Sequence, residues 1–216
     1  MADDVVIGYV HGGTVRAEFA ASLLAVAMEG ATHVAAVIAV GSGPNISTAR
    51  NMVARRFLED GQAPWLFMCD TDMWFPADTI DRLAAVASST VIPVVGGLCY
   101  SQNTDNGGGE PYSTMYELAE SPEGDICFVR YKKWPENKVV RVAATGAACL
   151  LIHRDALLAV EKRAADRAAP WFRESVAGSA LIGEDLTFCL RLGAAGIPVH
   201  VHTGVKAGHM KTTMLI

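Results

Sequence analysis

Two carboxylates, Asp70 and Asp72, follow an apolar run over residues 65–69. Such a run is typical of a strand covered on both faces, and open α/β sheets bind ligands at the carboxyl ends of their strands. Carboxylate oxygens at that place could hold Mg²⁺ or Mn²⁺ against a diphosphate. The alternative is that the two acids only form a turn into a helix that begins near Pro76.

The chain around this acidic pair alternates strand and helix patterns. The hydrophobic spacing predicts strands at residues 5–10, 33–40, 65–70 and 91–99, each of the first three followed by a helix with one apolar face. This alternation predicts an α/β fold with a mostly parallel central sheet, helices on both faces and right-handed crossovers.

The alternation stops after Tyr100. Residues 101–109 are rich in glycine and asparagine, and short aromatic segments such as 127–131 suit antiparallel strands or a hairpin. Such irregular regions often form the variable substrate side of a site. The later elements are predicted to be a strand at 147–153, a helix at 154–169, a helix after Gly183 and a short strand at 199–202. The tail from residue 203 shows no clear hydrophobic period of a helix or a strand.

Composition limits the classes of protein that this chain can be. A hydrophobic content of 51% with 19% charged residues indicates a globular protein, and the net charge of −5 argues against binding nucleic acid by charge alone. Five scattered cysteines indicate reduced core thiols. The sequence has no apolar run of about 20 residues and an acidic start, so we expect no membrane span and a cytoplasmic location.

Several short motifs occur in a fixed order along the chain: Arg50-Asn51, Asp70-Thr71-Asp72, Thr145-Gly146-Ala147-Ala148, Gly183-Glu184-Asp185 and Gly208-His209. This ordered set resembles the GT-A glycosyltransferases, specifically family-2-like enzymes of the type encoded by phages and bacteria. The resemblance covers roughly residues 5–211. It implies a single GT-A (Rossmann-like) domain over 1–216, with a nucleotide-binding half to about residue 99 and an acceptor-binding half with a small antiparallel region and the tail beyond. For a phage enzyme, the cytoplasm would be that of the host.

The resemblance implies a nucleotide sugar as donor and Mn²⁺ or Mg²⁺ as cofactor. Asp72 would ligate the metal directly, Asp70 through water or by way of the ribose, and His209 would complete the site, with Thr71 beside them in the donor site. His209 could instead be an exposed tail residue. Lys211 could meet the diphosphate charge or be an ordinary solvated lysine.

Other donor contacts are implied less directly. The loop that begins at Val10 and His11 resembles the nucleobase and ribose pocket of the family, and Arg50 lies where the family approaches the nucleotide. The loop has neither the Gly-x-Gly-x-x-Gly spacing nor a P-loop. It also departs from the Pro-containing opening that is more usual in the family, so UDP is only the commonest choice of donor nucleotide. Gly146 could allow close approach of the donor sugar or simply relax a turn.

The family places its catalytic base in an acidic motif at the start of a late helix. Here Asp185 is the first candidate and Glu184 the second, although acids in the first turn of a helix are also favoured by its dipole. A base without a covalent nucleophile predicts transfer with inversion. Trp171 and Phe172 could stack on an acceptor sugar or base, or could fill the core.

Two other functions compete with a hexosyltransferase-like enzyme. A sugar-phosphate nucleotidyltransferase can use a related sheet and metal, but the first loop, with a single Arg16, is a poor match to a triphosphate site. A non-catalytic module that binds a nucleotide sugar is the other possibility. The acceptor is open between a protein hydroxyl, a glycan, a lipid-linked sugar and a modified DNA base.

Overall fold

The computed structural model describes residues 4–102, 109–120, 124, 126–177 and 180–211. Its helices are α1 (Ala17–Glu29), α2 (Ile46–Asp60), α3 (Thr79–Ala84), α4 (Arg154–Arg163) and α5 (Glu184–Ala194). The strands are β1 (Val5–His11), β2 (Val34–Gly41), β3 (Trp65–Asp70), β4 (Met73–Trp74), β5 (Val94–Ser101), β6 (Tyr112–Ser113), β7 (Met115–Glu120), β8 (Ile126–Arg130), β9 (Val139–Val142), β10 (Ala144–Thr145), β11 (Cys149–His153), β12 (Ser175–Ala177), β13 (Ala180–Ile182) and β14 (Val199–His209). Most of the glycine- and asparagine-rich stretch lies outside the described residues.

The central sheet has the strand order β2-β1-β3-β11-β5-β14. Strands β2, β1 and β3 are parallel, and β14 is parallel to β5. Strand β11 is antiparallel to both of its neighbours, β3 and β5, so β5 runs in the same direction as β3. The predicted mostly parallel α/β sheet is therefore confirmed, with one antiparallel strand in its middle.

Two hydrophobic clusters cover the two faces of this sheet. Along β3, Leu66 and Met68 belong to the cluster that contains α2, α4 and α5, whereas Phe67 and Cys69 belong to the cluster that contains α1 and α3. The alternation follows from the two-residue period of a strand. Helices on both faces, as predicted, leave the carboxyl edge of the sheet open for a site.

The end of the chain differs from the sequence prediction. Strand β14 extends to His209, through residues for which no period was expected, and residues 206–209 pair with the end of β5 and with β4. Burial alternates along this part, with Val201, Thr203, Val205 and Ala207 buried. The intervening glycines and polar residues concealed this two-residue period. Helix α4 also ends six residues earlier than predicted, at Arg163 rather than residue 169.

The predicted antiparallel region lies after β5. Strands β7 and β8 form a hairpin in which Tyr116 faces Arg130, and β10 pairs with the other edge of β7. This small sheet lies beside the start of α5. The cysteines are all free thiols. No helix in the described part of the chain is long and apolar enough to cross a membrane.

Candidate active site

The acidic loop that follows β3 is held by neighbouring backbone. The carbonyl of Thr71 accepts a hydrogen bond from the Arg16 amide at 3.1 Å, and the carbonyl of Asp72 accepts one from the Met210 amide at 2.8 Å. The loop is thereby bound both to the start of α1 and to the end of β14. Asp70 and Asp72 consequently lie at the carboxyl edge of the sheet in a fixed relation to both.

Arg50 joins this loop to the start of α5. Its Nη2 lies 2.7 Å from Asp70 Oδ1, its Nη1 donates to Glu184 Oε1, and only 4% of the residue is exposed. Burial acts to lower the pKa of the guanidinium, but the charges of Asp70, Glu184 and Asp185 outweigh it and the pKa is raised. The structure thus pairs Arg50 with protein carboxylates, and its contact with a nucleotide stays a prediction.

Asp185 occupies a different position from Glu184, although both lie in the first turn of α5. Asp185 Oδ1 accepts a hydrogen bond from the Leu186 amide at 2.7 Å. Its Oδ2 faces Gly146, where a Cβ atom would lie 3.4 Å away. Burial raises the pKa of Asp185 despite the opposing charge of Arg50. A carboxylate of raised pKa is a better proton acceptor than an ordinary aspartate.

The structure brings Asp72 and His209 into direct contact. His209 Nε2 lies 2.8 Å from Asp72 Oδ2, its Nδ1 lies 3.0 Å from the Tyr100 carbonyl, and Lys211 Nζ lies 2.6 Å from Nε2. The hydrogen bond to Asp72 raises the pKa of His209. Burial alone would raise the pKa of Asp72, but the contact with His209 lowers it below the usual value.

The predicted metal ligands are only partly brought together. Asp72 and His209 are adjacent, whereas Asp70 is turned toward Arg50, and no group of three or more His, Cys, Asp or Glu side chains within the described ranges is arranged to hold a metal ion. A hydrogen bond from Nδ1 to the Tyr100 carbonyl leaves Nε2 as the ligating atom. The pair therefore fits part of a coordination sphere whose other positions would be open to diphosphate oxygens and water.

The first loop lies beside the acidic loop, as its predicted role requires. Val10 is paired with Asp70 across β1 and β3, and its carbonyl accepts a hydrogen bond from Thr71 Oγ1 at 3.4 Å. The carbonyl of His11 accepts from the Ser42 amide at 2.9 Å. Both residues are thus at the same edge of the sheet, and their contact with a nucleobase stays a prediction.

The acceptor role expected for Trp171 and Phe172 is not supported. Both residues are 0% exposed. The Trp171 indole donates to the Leu157 carbonyl at 2.9 Å, and the Phe172 ring packs on Phe188 with centroids 4.6 Å apart. Neither ring offers a face to an acceptor, so the structure favours the alternative that they fill the core.

Asn51 has a role that its place in a motif did not reveal. Its amide donates to the Ser47 carbonyl at 2.7 Å and to the Phe172 carbonyl at 2.6 Å, and its oxygen accepts from the amides of Trp171 and Phe172 at 3.1 and 3.2 Å. One buried side chain thereby ties α2 to the segment that leads toward α5. Arg50 thus contacts the start of α5, and Asn51 contacts the segment before it.

Replacing Asn51 by alanine should loosen this segment. Buried backbone groups of Trp171 and Phe172 would lose their partners, and we expect the free energy of unfolding to fall by about 2 kcal/mol. Amide hydrogen exchange should accelerate at residues 171 and 172. Exchange and stability unchanged from wild type would contradict the assignment, and Met52→Ala, an exposed neighbour on α2, serves as the control.

The strand order and the helices on both faces define a GT-A-like α/β fold. Solved structures that share it include the following two. The crystal structure of A197 from STIV aligns with 97% of this chain and 86% of its own, at a TM-score of 0.61 and 17% identity. A structure of GalNAc-T7 with UDP, GalNAc and Mn²⁺ aligns with 98% of this chain at a TM-score of 0.66 and 10% identity.

These likenesses concern the fold. The chain spans 44% of the GalNAc-T7 chain that it matches. No protein-family model and no curated protein sequence matches it. The function must therefore be argued from the site itself.

Proposed function

We propose that the protein is a metal-dependent glycosyltransferase that moves a sugar from a nucleotide-diphosphate sugar to an acceptor hydroxyl with inversion. The carrying observation is that Arg50 joins the Asp70 loop to the helix that bears Asp185. The acidic loop, where the metal ion would neutralise charge, and Asp185, which would accept the proton, would thus lie on two sides of the Arg50 guanidinium. The GT-A-like fold, shared with GalNAc-T7 in its structure with UDP and Mn²⁺, supports this proposal.

On the donor side, Asp72 and His209 would hold the divalent ion. When bound, Mn²⁺ or Mg²⁺ supplies the Lewis acidity that stabilises a leaving diphosphate. Lys211, in contact with His209, adds a positive charge beside the same position. Val10 and His11 would border the nucleobase, with UDP as the first donor to test, and Asp70, held by Arg50, would position the acidic loop.

On the acceptor side, Asp185 would take the proton of the attacking hydroxyl. Glu184 is already bound to Arg50, whereas Asp185 Oδ2 faces Gly146. The hydroxyl oxygen forms the new bond to the anomeric carbon as the bond to the diphosphate breaks, and the proton passes to Asp185. A single displacement of this kind inverts the configuration of the anomeric carbon.

Nucleoside diphosphate release from a panel of nucleotide sugars, measured with Mn²⁺ and with EDTA, tests the reaction class. The proposal expects metal-dependent release from at least one donor. Pyrophosphate release from a nucleoside triphosphate and a sugar phosphate would instead support a nucleotidyltransferase. Donor binding without turnover across many acceptors would support a binding module.

Replacing Asp185 by asparagine should lower kcat by about 100-fold or more, while the dissociation constant of the donor changes by less than about threefold. Because burial raises the pKa of Asp185, the wild-type rate should fall as pH drops through that raised pKa. Asp155→Asn, an acid in the first turn of α4, controls for helix-dipole effects. An Asp185→Asn enzyme with a wild-type rate would remove Asp185 as the base.

A further inference from the structure

A row of side chains leads from the candidate base onto the small antiparallel sheet. A Cβ atom at Gly146 would lie 3.4 Å from Asp185 Oδ2 and 3.7 Å from Thr114 Cβ, so these two side chains border the same position. Thr114 precedes β7, and Tyr116 on that strand is paired with Ala144, two residues before Gly146, across β7 and β10. Tyr116 is paired with Arg130 across β7 and β8.

The guanidinium of Arg130 is exposed but held in position. Its Cζ lies 3.5 Å from the centroid of the Tyr112 ring, and it hydrogen-bonds the side chain of Tyr116. Burial raises the pKa of Tyr116, and the charge of Asp185 adds to this rise, which agrees with their proximity. A guanidinium stacked on a ring keeps its N–H edge available for a planar anion.

Within the described part of the chain, the charge of Arg130 is not balanced by a carboxylate. Unlike Arg50, which binds two carboxylates, Arg130 forms no ion pair with a carboxylate among the residues that the structure describes. Leu118, two residues beyond Tyr116 on β7, lines a cavity of about 480 Å³ together with Arg141.

We propose that the acceptor carries an anionic group, a phosphate or a carboxylate, which Arg130 binds while the acceptor hydroxyl faces Asp185. This inference rests on the proposed transferase function and names the chemical class of its acceptor. Arginine recognises such groups through two parallel N–H bonds, which would fix both the position and the orientation of the acceptor.

The test uses acceptors in matched charged and neutral pairs: a hexose 6-phosphate and the hexose, a nucleoside 5′-monophosphate and the nucleoside, and a uronic acid and the hexose. Wild-type protein should transfer to the anionic member of at least one pair about tenfold better in kcat/KM. The phosphate and carboxylate pairs distinguish the two kinds of anion.

Arg130→Ala should raise the acceptor KM by about tenfold or more while acceptor-independent donor hydrolysis stays within about twofold. Arg130→Lys should restore only part of the preference, because a lysine keeps the charge but not the planar fork. Arg56→Ala removes the same charge from an exposed position on α2 and should behave as wild type.

A wild-type preference for neutral acceptors, or an equal loss in Arg56→Ala, would overturn the inference. Absence of nucleoside diphosphate release from every donor would instead defeat the proposed function. Calorimetric titration of the anionic compounds into wild type and Arg130→Ala would then test anion binding by Arg130 independently of the proposed reaction. Binding lost in Arg130→Ala supports it, and equal or absent binding in both proteins overturns it.

Discussion

An Arg50→Ala protein is expected to lose donor turnover by about 100-fold or more and to unfold with a free energy about 3 kcal/mol lower than wild type at neutral pH. Removal of the guanidinium leaves Asp70, Glu184 and Asp185 together without a counter-charge. Urea unfolding and nucleoside diphosphate release measure the two effects. The effect is large because a charge partner is lost from a site where Arg50 is only 4% exposed.

The pH dependence of this variant identifies the cause. Without Arg50 the carboxylates repel one another, so their pKa values in the folded state rise above the unfolded values. The folded protein then binds more protons than the unfolded chain, and stability should increase as pH falls toward the carboxylate range. The double variant Arg50→Met/Glu184→Gln should recover part of the lost stability. A loss of stability independent of pH would contradict an electrostatic origin.

Replacing Asp72 by alanine should abolish metal-dependent donor turnover, with a rate at least about 100-fold lower, while the fold stays intact. The side chain of Asp72 is 40% exposed, so the loss of its ion pair with His209 should change stability by less than about 1 kcal/mol. Nucleoside diphosphate release measured over a range of Mn²⁺ concentrations reports the metal-dependent turnover, and a thermal melt reports the stability.

A matched variant distinguishes metal binding by Asp72 from a general effect of removing a negative charge. Asp78→Ala removes an exposed carboxylate just before α3, and its side chain makes no capping hydrogen bond. It should keep wild-type turnover and wild-type Mn²⁺ dependence. Wild-type turnover in Asp72→Ala, or an equal loss in Asp78→Ala, would remove Asp72 from the metal site.

The fold was largely predictable because its signals are local. An apolar run such as 65–69 and the amphipathic spacing of α2 depend only on neighbouring residues. Strand β14 was underestimated because Gly204 and Gly208 interrupt the hydrophobic pattern that its buried positions follow. The antiparallel direction of β11 depends on the path of the chain, which residue patterns do not record.

The candidate site was only partly predictable. The order of short motifs anticipated that Asp72 and His209 belong together. The partners of Arg50 were not anticipated, because they depend on how α2, β3 and α5 approach one another. The sequence left the role of Trp171 open for a similar reason, since an aromatic residue after a proline suits a binding face and a core equally well, and the structure places it in the core.

The antiparallel strand β11 has a consequence for how such a protein can evolve. Strand β5 ends and β11 begins at the same edge of the sheet, and these two strands are neighbours. The chain between them leaves and re-enters the sheet almost at one point, and it is attached to the sheet through β6 on β5 and through β9 on β14. This excursion, residues 102–148, could be exchanged for another of different length without altering the order β2-β1-β3-β11-β5-β14. Replacement of this single insert would leave the segments that carry Asp70, Asp72, Asp185 and His209 unchanged.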